Sequence, residues 1–98
     1  MSKFGDLIEA RVPVLLSFFR DGDHTSEMMN PILREVASEM GNQARVIKIN
    51  ITKNQELVNA LRIKEVPTMI IYKNGEMKWR QSGEQDSKTL LDLLKEYL

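Results

Sequence analysis

The run from Val12 to Phe19 constrains this chain more than any other feature. It is almost continuously apolar, with β-branched and aromatic residues and only Ser17 to interrupt it. A strand without a polar face must be covered on both sides. The chain therefore needs helices on two faces of a sheet, an α/β layering. Flanking segments supply them. Phe4, Leu7 and Ile8 share one face of a short amphipathic helix over 3–10, which Pro13 stops. A polar turn, Arg20–Asp23, follows the strand. Met28, Met29, Ile32, Leu33, Val36, Ala37 and Met40 then recur at helical spacing, which predicts a long helix from Thr25 to Met40. Gly41-Asn42 ends it. Pro31 lies inside it and should kink it, because proline removes one ladder hydrogen bond.

Val46, Ile47, Ile49 and Ile51 mark a strand over Arg45–Ile51. Asn54–Leu61 reads as a short helix with Leu57, Val58 and Leu61 inward. Thr68–Tyr72 is a second buried strand, and Asn74-Gly75 is a strong two-residue hairpin signal. Glu76–Ser82 returns with Met77 and Trp79 on one face. Asp86 or Ser87 caps a last helix carrying Leu90, Leu91, Leu94 and Leu98 inward. The order α-β-α-β-α-β-β-α implies parallel crossovers first and one antiparallel hairpin at the edge.

The 98 residues are expected to form one domain, 1–98, with enough core to stand without disulfides or metal. Lys plus Arg equals Asp plus Glu at 14 each, so neither nucleic acid nor an anionic membrane is an expected partner. No apolar run approaches transmembrane length. The first residues hold no signal-peptide core, so a cytoplasmic location is the default expectation, a lost leader being the other case. The chain has no cysteine, and hence no thiolate nucleophile and no cysteine metal site.

The segment Leu16–Leu33 resembles the active-site segment of thioredoxins, where a buried strand enters a Cys-x-x-Cys pair at a helix start and a proline follows five residues later. With Pro31 as that proline, the cysteine positions fall on Asp23 and Ser26. The resemblance extends through Lys48-Ile49-Asn50, Val66-Pro67-Thr68, Tyr72-Lys73-Asn74-Gly75-Glu76 and Gly83. It implies a thioredoxin-like three-layer sandwich, a central mixed four-stranded sheet with helices on both faces, and a cis peptide bond before Pro67. The family's N-terminal strand is not matched, which would leave Arg45–Ile51 as an edge strand and make a weak edge-strand dimer the alternative to a monomer. The family's buried Asp falls on Ser17, its neighbouring Lys is retained as Lys48, and its flanking tryptophans become Phe19 and Gly22.

Several readings compete at the Asp23-His24-Thr25-Ser26 turn. The simplest makes Asp23 a helix cap, its carboxylate accepting backbone N–H bonds. A nucleophilic Ser26 with His24 as base meets a geometric objection, since residues two apart on a turn do not naturally face each other. A metal site would join Asp21, Asp23, His24 and Glu27, but with one His and without the spacing of a calcium loop. The reading that uses the whole frame is a groove. In thioredoxin-like proteins the loop before the cis-proline offers backbone groups to an extended peptide, and here Phe19, Gly22, Asp23, His24, Val66, Pro67, Thr68 and Gly83 match that surface. Strand-like recognition of this kind needs no cysteine. The expected function is thus a non-catalytic protein-binding, peptide-binding or chaperone-like module without cofactor. The alternatives are a thioredoxin by homology with no reductase activity of its own, and a non-thiol enzyme or metal site at the turn. Disulfide exchange is closed to it, because only a thiolate attacks a disulfide in that reaction.

Overall fold

The computed structural model describes residues 3–98. Helix α1 (Lys3–Ile8) leads into strand β1 (Val14–Phe19), then helices α2 (His24–Glu27) and α3 (Met29–Met40). Strand β2 (Arg45–Asn50), helix α4 (Gln55–Leu61), the hairpin β3 (Thr68–Lys73) and β4 (Glu76–Ser82), and helix α5 (Ser87–Glu96) follow. The sheet order is β2-β1-β3-β4, with β1 parallel to β2 and the other pairs antiparallel. This is the mixed four-stranded sheet expected, and it places the two most apolar strands, β1 and β3, at the centre.

Alternation along β1 divides the core between the two faces. Leu15 joins Met29, Leu33, Val36, Met40, Met69, Ile71, Leu90 and Leu94 under α3 and α5. Leu16 and Phe18 join Ile8, Ile49, Ile63, Ile70 and Tyr72 under α1 and α4. Phe4 of α1 meets Tyr72 edge-on, with ring centroids 5.6 Å apart. No helix among the described residues is long and apolar enough to cross a membrane.

Helix ends follow from their residues. Asp86 caps α5, its Oδ1 accepting from the Thr89 amide at 2.7 Å. Gly41 closes α3 at φ 57°, ψ −129°, a conformation a side chain would strain. Arg62 ends α4 in the left-handed region, and the Arg80 guanidinium donates to the carbonyls of Leu61 and Arg62. Asn74 and Gly75 both have positive φ, as a two-residue hairpin turn of this twist requires.

Five details depart from the sequence expectation. The long helix is not one element: it breaks at Met28, and Pro31 falls in the first turn of α3. Pro31 cannot donate to the Glu27 carbonyl, and its ring crowds that group. The interruption therefore appears just upstream, and the proline takes a place where amides lack helical partners anyway. Met77 and Trp79 lie on opposite faces, because a bulge pairs Ile71 with Trp79 but Tyr72 with Met77, leaving Lys78 as the extra residue. Trp79 packs beneath α3 and α5, whereas Met77 is exposed. Leu7 is exposed on α1. Leu98 is exposed too, because α5 has already ended at Glu96. Ala37 is also exposed, on the side of α3 that faces the open edge of β2.

Candidate functional site

The site begins where β1 stops. The Asp23 amide donates back to the Arg20 carbonyl at 3.2 Å, closing the turn. The Gly22 amide donates to Glu27 Oε2 at 3.2 Å. Asp23 has extended backbone (φ −83°, ψ 116°), and its Oδ2 accepts from the Ser26 amide at 2.8 Å. It is thus the N-cap of α2. The Ser26 amide first, and the Ser26 hydroxyl second, hold the Asp23 carboxyl below its ordinary range. Partial desolvation opposes them, and the charges of Arg20 and His24 assist.

Ser26 is 2% exposed, and its hydroxyl accepts from the Arg20 amide at 3.4 Å. His24 stands in solvent, and no hydrogen bond among the described residues joins it to Ser26. The hydroxyl at the second cysteine position is therefore a buried turn anchor. The acids weighed for a metal have other work: Asp21 accepts from Asn50 Nδ2 at 3.0 Å, Asp23 caps α2, and Glu27 holds the Gly22 amide. Among the described residues no group of three or more His, Asp or Glu side chains is placed to hold a metal ion.

These caps give a pH signature. Asp23 and Asp86 both titrate below the usual carboxylate range, each held by the amide three residues on. A carboxyl with a depressed folded-state pKa contributes stability that is complete above its unfolded value, about 4, and is lost as pH falls through the folded value. The thermal midpoint should therefore be flat above about pH 5 and fall on acidification. An Asp23→Asn, Asp86→Asn double variant keeps both acceptors and should show a shallower acid limb in a series of thermal melts.

The second half of the site is the loop ahead of β3. The Val66–Pro67 peptide bond is cis. Two hydrogen bonds lock the loop: Thr68 Oγ1 donates to the Glu65 carbonyl, and the Gly83 amide donates to the Pro67 carbonyl at 2.8 Å. Thr68 Oγ1 also lies 3.3 Å from Ser82 Oγ across the hairpin. Strand register opposes Phe18 to Thr68. Continuing it by one residue brings Pro67 beside Phe19, at the mouth of the Asp23 turn. The two halves thus meet at one end of the central strand pair.

The eight candidate residues do not contribute alike. Thr68 is 0% exposed and Pro67 is buried, so both support the surface from below. Gly22 and His24 are exposed; Asp23, Val66 and Gly83 are half-buried. Phe19 is half-buried with Lys48 Nζ over its ring, 5.1 Å from the centroid. Met28, on the helical stripe by periodicity but directly past the turn in sequence, is 46% exposed at the α2–α3 junction and adds an apolar group there. The feature invisible in the sequence is the backbone of Val66. Its neighbours' carbonyls are occupied by Thr68 and Gly83, while its own N–H and C=O make no hydrogen bond among the described residues. Unpaired backbone groups on a half-buried residue are costly unless water or a ligand meets them.

Comparison with known proteins agrees with this architecture. The sequence model of the Thioredoxin family matches residues 1–96. A thioredoxin of Rickettsia felis is 32% identical over 87 residues, spanning 89% of this chain and 83% of that protein. The chloroplastic thioredoxin Y of Oryza sativa is 33% identical over 98 residues, covering 99% of this chain and 58% of that one. Among solved structures, a mutant thioredoxin from Halobacterium salinarum superposes with a TM-score of 0.87 at 29% identity, covering 97% of this chain and 82% of that chain.

Proposed function

The chain belongs to the thioredoxin family, and from that premise, joined to its lack of any cysteine, we propose that it is a redox-inactive member that binds an extended segment of a partner protein. The observation that carries this reading is the free N–H and C=O of Val66 beside an intact turn. One donor and one acceptor left unpaired on one residue form the minimal pair for adding an extended strand. Phe19, Met28 and Val66 supply apolar contact around it, and Gly22 and Gly83 carry no side chain to obstruct a neighbouring backbone.

The missing chemistry is missing for a simple reason. Disulfide exchange proceeds through a mixed disulfide formed by a thiolate. A carboxylate at position 23 and a buried hydroxyl at position 26 form no bond to sulfur and carry no electron pair to a second thiol. What survives is recognition, which would serve a binding or chaperone-like role.

Affinity capture of the tagged protein from its own cells tests this, with a Val66→Asp, Phe19→Ala double variant as control. The expected result is a partner held by the wild type and lost by the variant. Capture that is identical for both proteins would place function on another surface.

A further inference from the structure

Away from the turn, one of the sheet's two edges is strand β2. Among the described residues strand β2 pairs only with β1. The Arg45 amide donates to the Pro13 carbonyl and the Ile51 amide to the Phe19 carbonyl. Backbone direction alternates along a strand, so residues 45, 47, 49 and 51 turn their polar groups toward β1, while Val46 and Lys48 turn theirs outward. No hydrogen bond among the described residues engages those outward groups. The Asn50 carbonyl is already taken by Asn54 Nδ2, which closes the end of the edge.

The side chains at those positions shape a cavity. Val46 and Lys48, with Asn30, Leu33, Arg34 and Ala37 of α3, line an open pocket of about 180 Å³. Its floor is apolar and its rim is cationic. Arg34 and Lys48 border it, and Arg45 begins the same strand. No ion pair among the described residues engages any of the three. No acid lines the pocket, and Asp21, near the end of the strand, has its carboxylate held by Asn50 Nδ2.

From this geometry we infer that the β2 edge, together with the pocket under α3, accepts an extended acidic segment of a partner protein as a fifth strand. The segment hydrogen-bonds to the outward groups of Val46 and Lys48. It places one apolar side chain in the pocket and sets carboxylates against Arg34 and Lys48. Main-chain pairing supplies affinity in such strand addition, and the pocket with its charged rim supplies selectivity. Charge decides between occupants. A second copy of this chain would bring a second set of the same cations, Arg34, Arg45 and Lys48, to the shared edge, and like charges facing each other across strands are destabilising. An acidic strand meets the same cations favourably. No residue of the Val66 loop lines this pocket, although Lys48 also reaches over Phe19 at the edge of the turn.

The test uses blocked peptides of about eight residues, the length of an ordinary strand, alternating Glu with Val or Lys with Val. Amide hydrogen exchange of the whole protein is the readout. The Glu-Val peptide should slow exchange at Val46 and Lys48 by about tenfold or more, as a hydrogen-bonded amide requires. The effect should weaken in high salt, where screening shortens to about 3 Å at 1 M. The Lys-Val peptide should leave both amides unchanged. An Arg34→Glu, Lys48→Glu double variant changes only exposed side chains and should exchange the preference between the peptides. The inference fails if the Glu-Val peptide leaves Val46 and Lys48 unprotected. It fails if both peptides protect them equally, or if protection falls on the Val66 loop alone. Protection that grows with protein concentration in the absence of peptide would assign the edge to a second copy and overturn it as well.

Discussion

Phe18→Ala should remove about 3–5 kcal/mol of folding stability, the usual range for deleting a fully buried aromatic side chain. Phe18 is 0% exposed on the central strand, paired with Ile49 of β2 and Thr68 of β3, and is roofed by α1 and α4. The loss combines the transfer energy of the ring with the cavity left behind, because β1 is held by ladders on both sides and cannot collapse into the space. A domain of this size has about 5–15 kcal/mol in total, so the variant should unfold at a markedly lower urea concentration. Met77→Ala is the matched control. Its side chain is 43% exposed beyond the β4 bulge, and the change should fall within about 0.5 kcal/mol. Urea denaturation of both variants checks the pair.

The second large effect is a gain. The wild type should show no reduction of a protein disulfide driven by dithiothreitol above the rate of dithiothreitol alone. An Asp23→Cys, Ser26→Cys double variant should show a clear rate above that background. A thiolate at position 23 would accept a hydrogen bond from the backbone amide of position 26, which now donates to the Asp23 carboxylate at 2.8 Å, and such a bond favours the ionised form. It would attack the substrate disulfide, releasing one substrate thiol and leaving a mixed disulfide. The thiol at position 26 would displace the second substrate thiol and close an internal disulfide, which dithiothreitol then reduces. The reasoning requires that the frame be intact and only the sulfurs lost. A double variant that folds and stays at background would show that the turn itself had changed.

Much of this architecture could be read directly from residue order. Val14–Phe19 and Thr68–Lys73 lack a polar face, and both proved central. Asn74-Gly75 made its hairpin and Asp86 its cap, because each signal acts within a few residues. Information that lives between elements was harder to read. The bulge at Lys78 shifts one strand against another, and nothing in the alternation of Glu76–Ser82 announces it; alternation alone puts Met77 and Trp79 on one face, and they lie on two. Periodicity marked Leu7, Ala37 and Leu98 as inward, but it reports which face a residue shares and not what lies opposite that face. The break at Met28 was signalled by Pro31, although its position depended on the carbonyl four residues upstream.

The site divides the same way. The cap at Asp23 was legible, being a local bond between a carboxylate and an amide three residues on. The burial of the Ser26 hydroxyl and the seating of Lys48 over Phe19 were not, since both depend on how the turn folds back on β1 and how β2 sits beside it. The free backbone of Val66 leaves no mark in the sequence at all. It exists because Thr68 and Gly83 take the carbonyls on either side.

The most direct measurement of the central claim is the exchange rate of the Val66 amide, in the free protein and in complex with the partner recovered by capture. Recognition through this backbone predicts fast exchange in the free protein and strong protection in the complex, centred on Val66 and the Asp23 turn. A complex that forms fully while the Val66 amide keeps its free exchange rate would contradict the account.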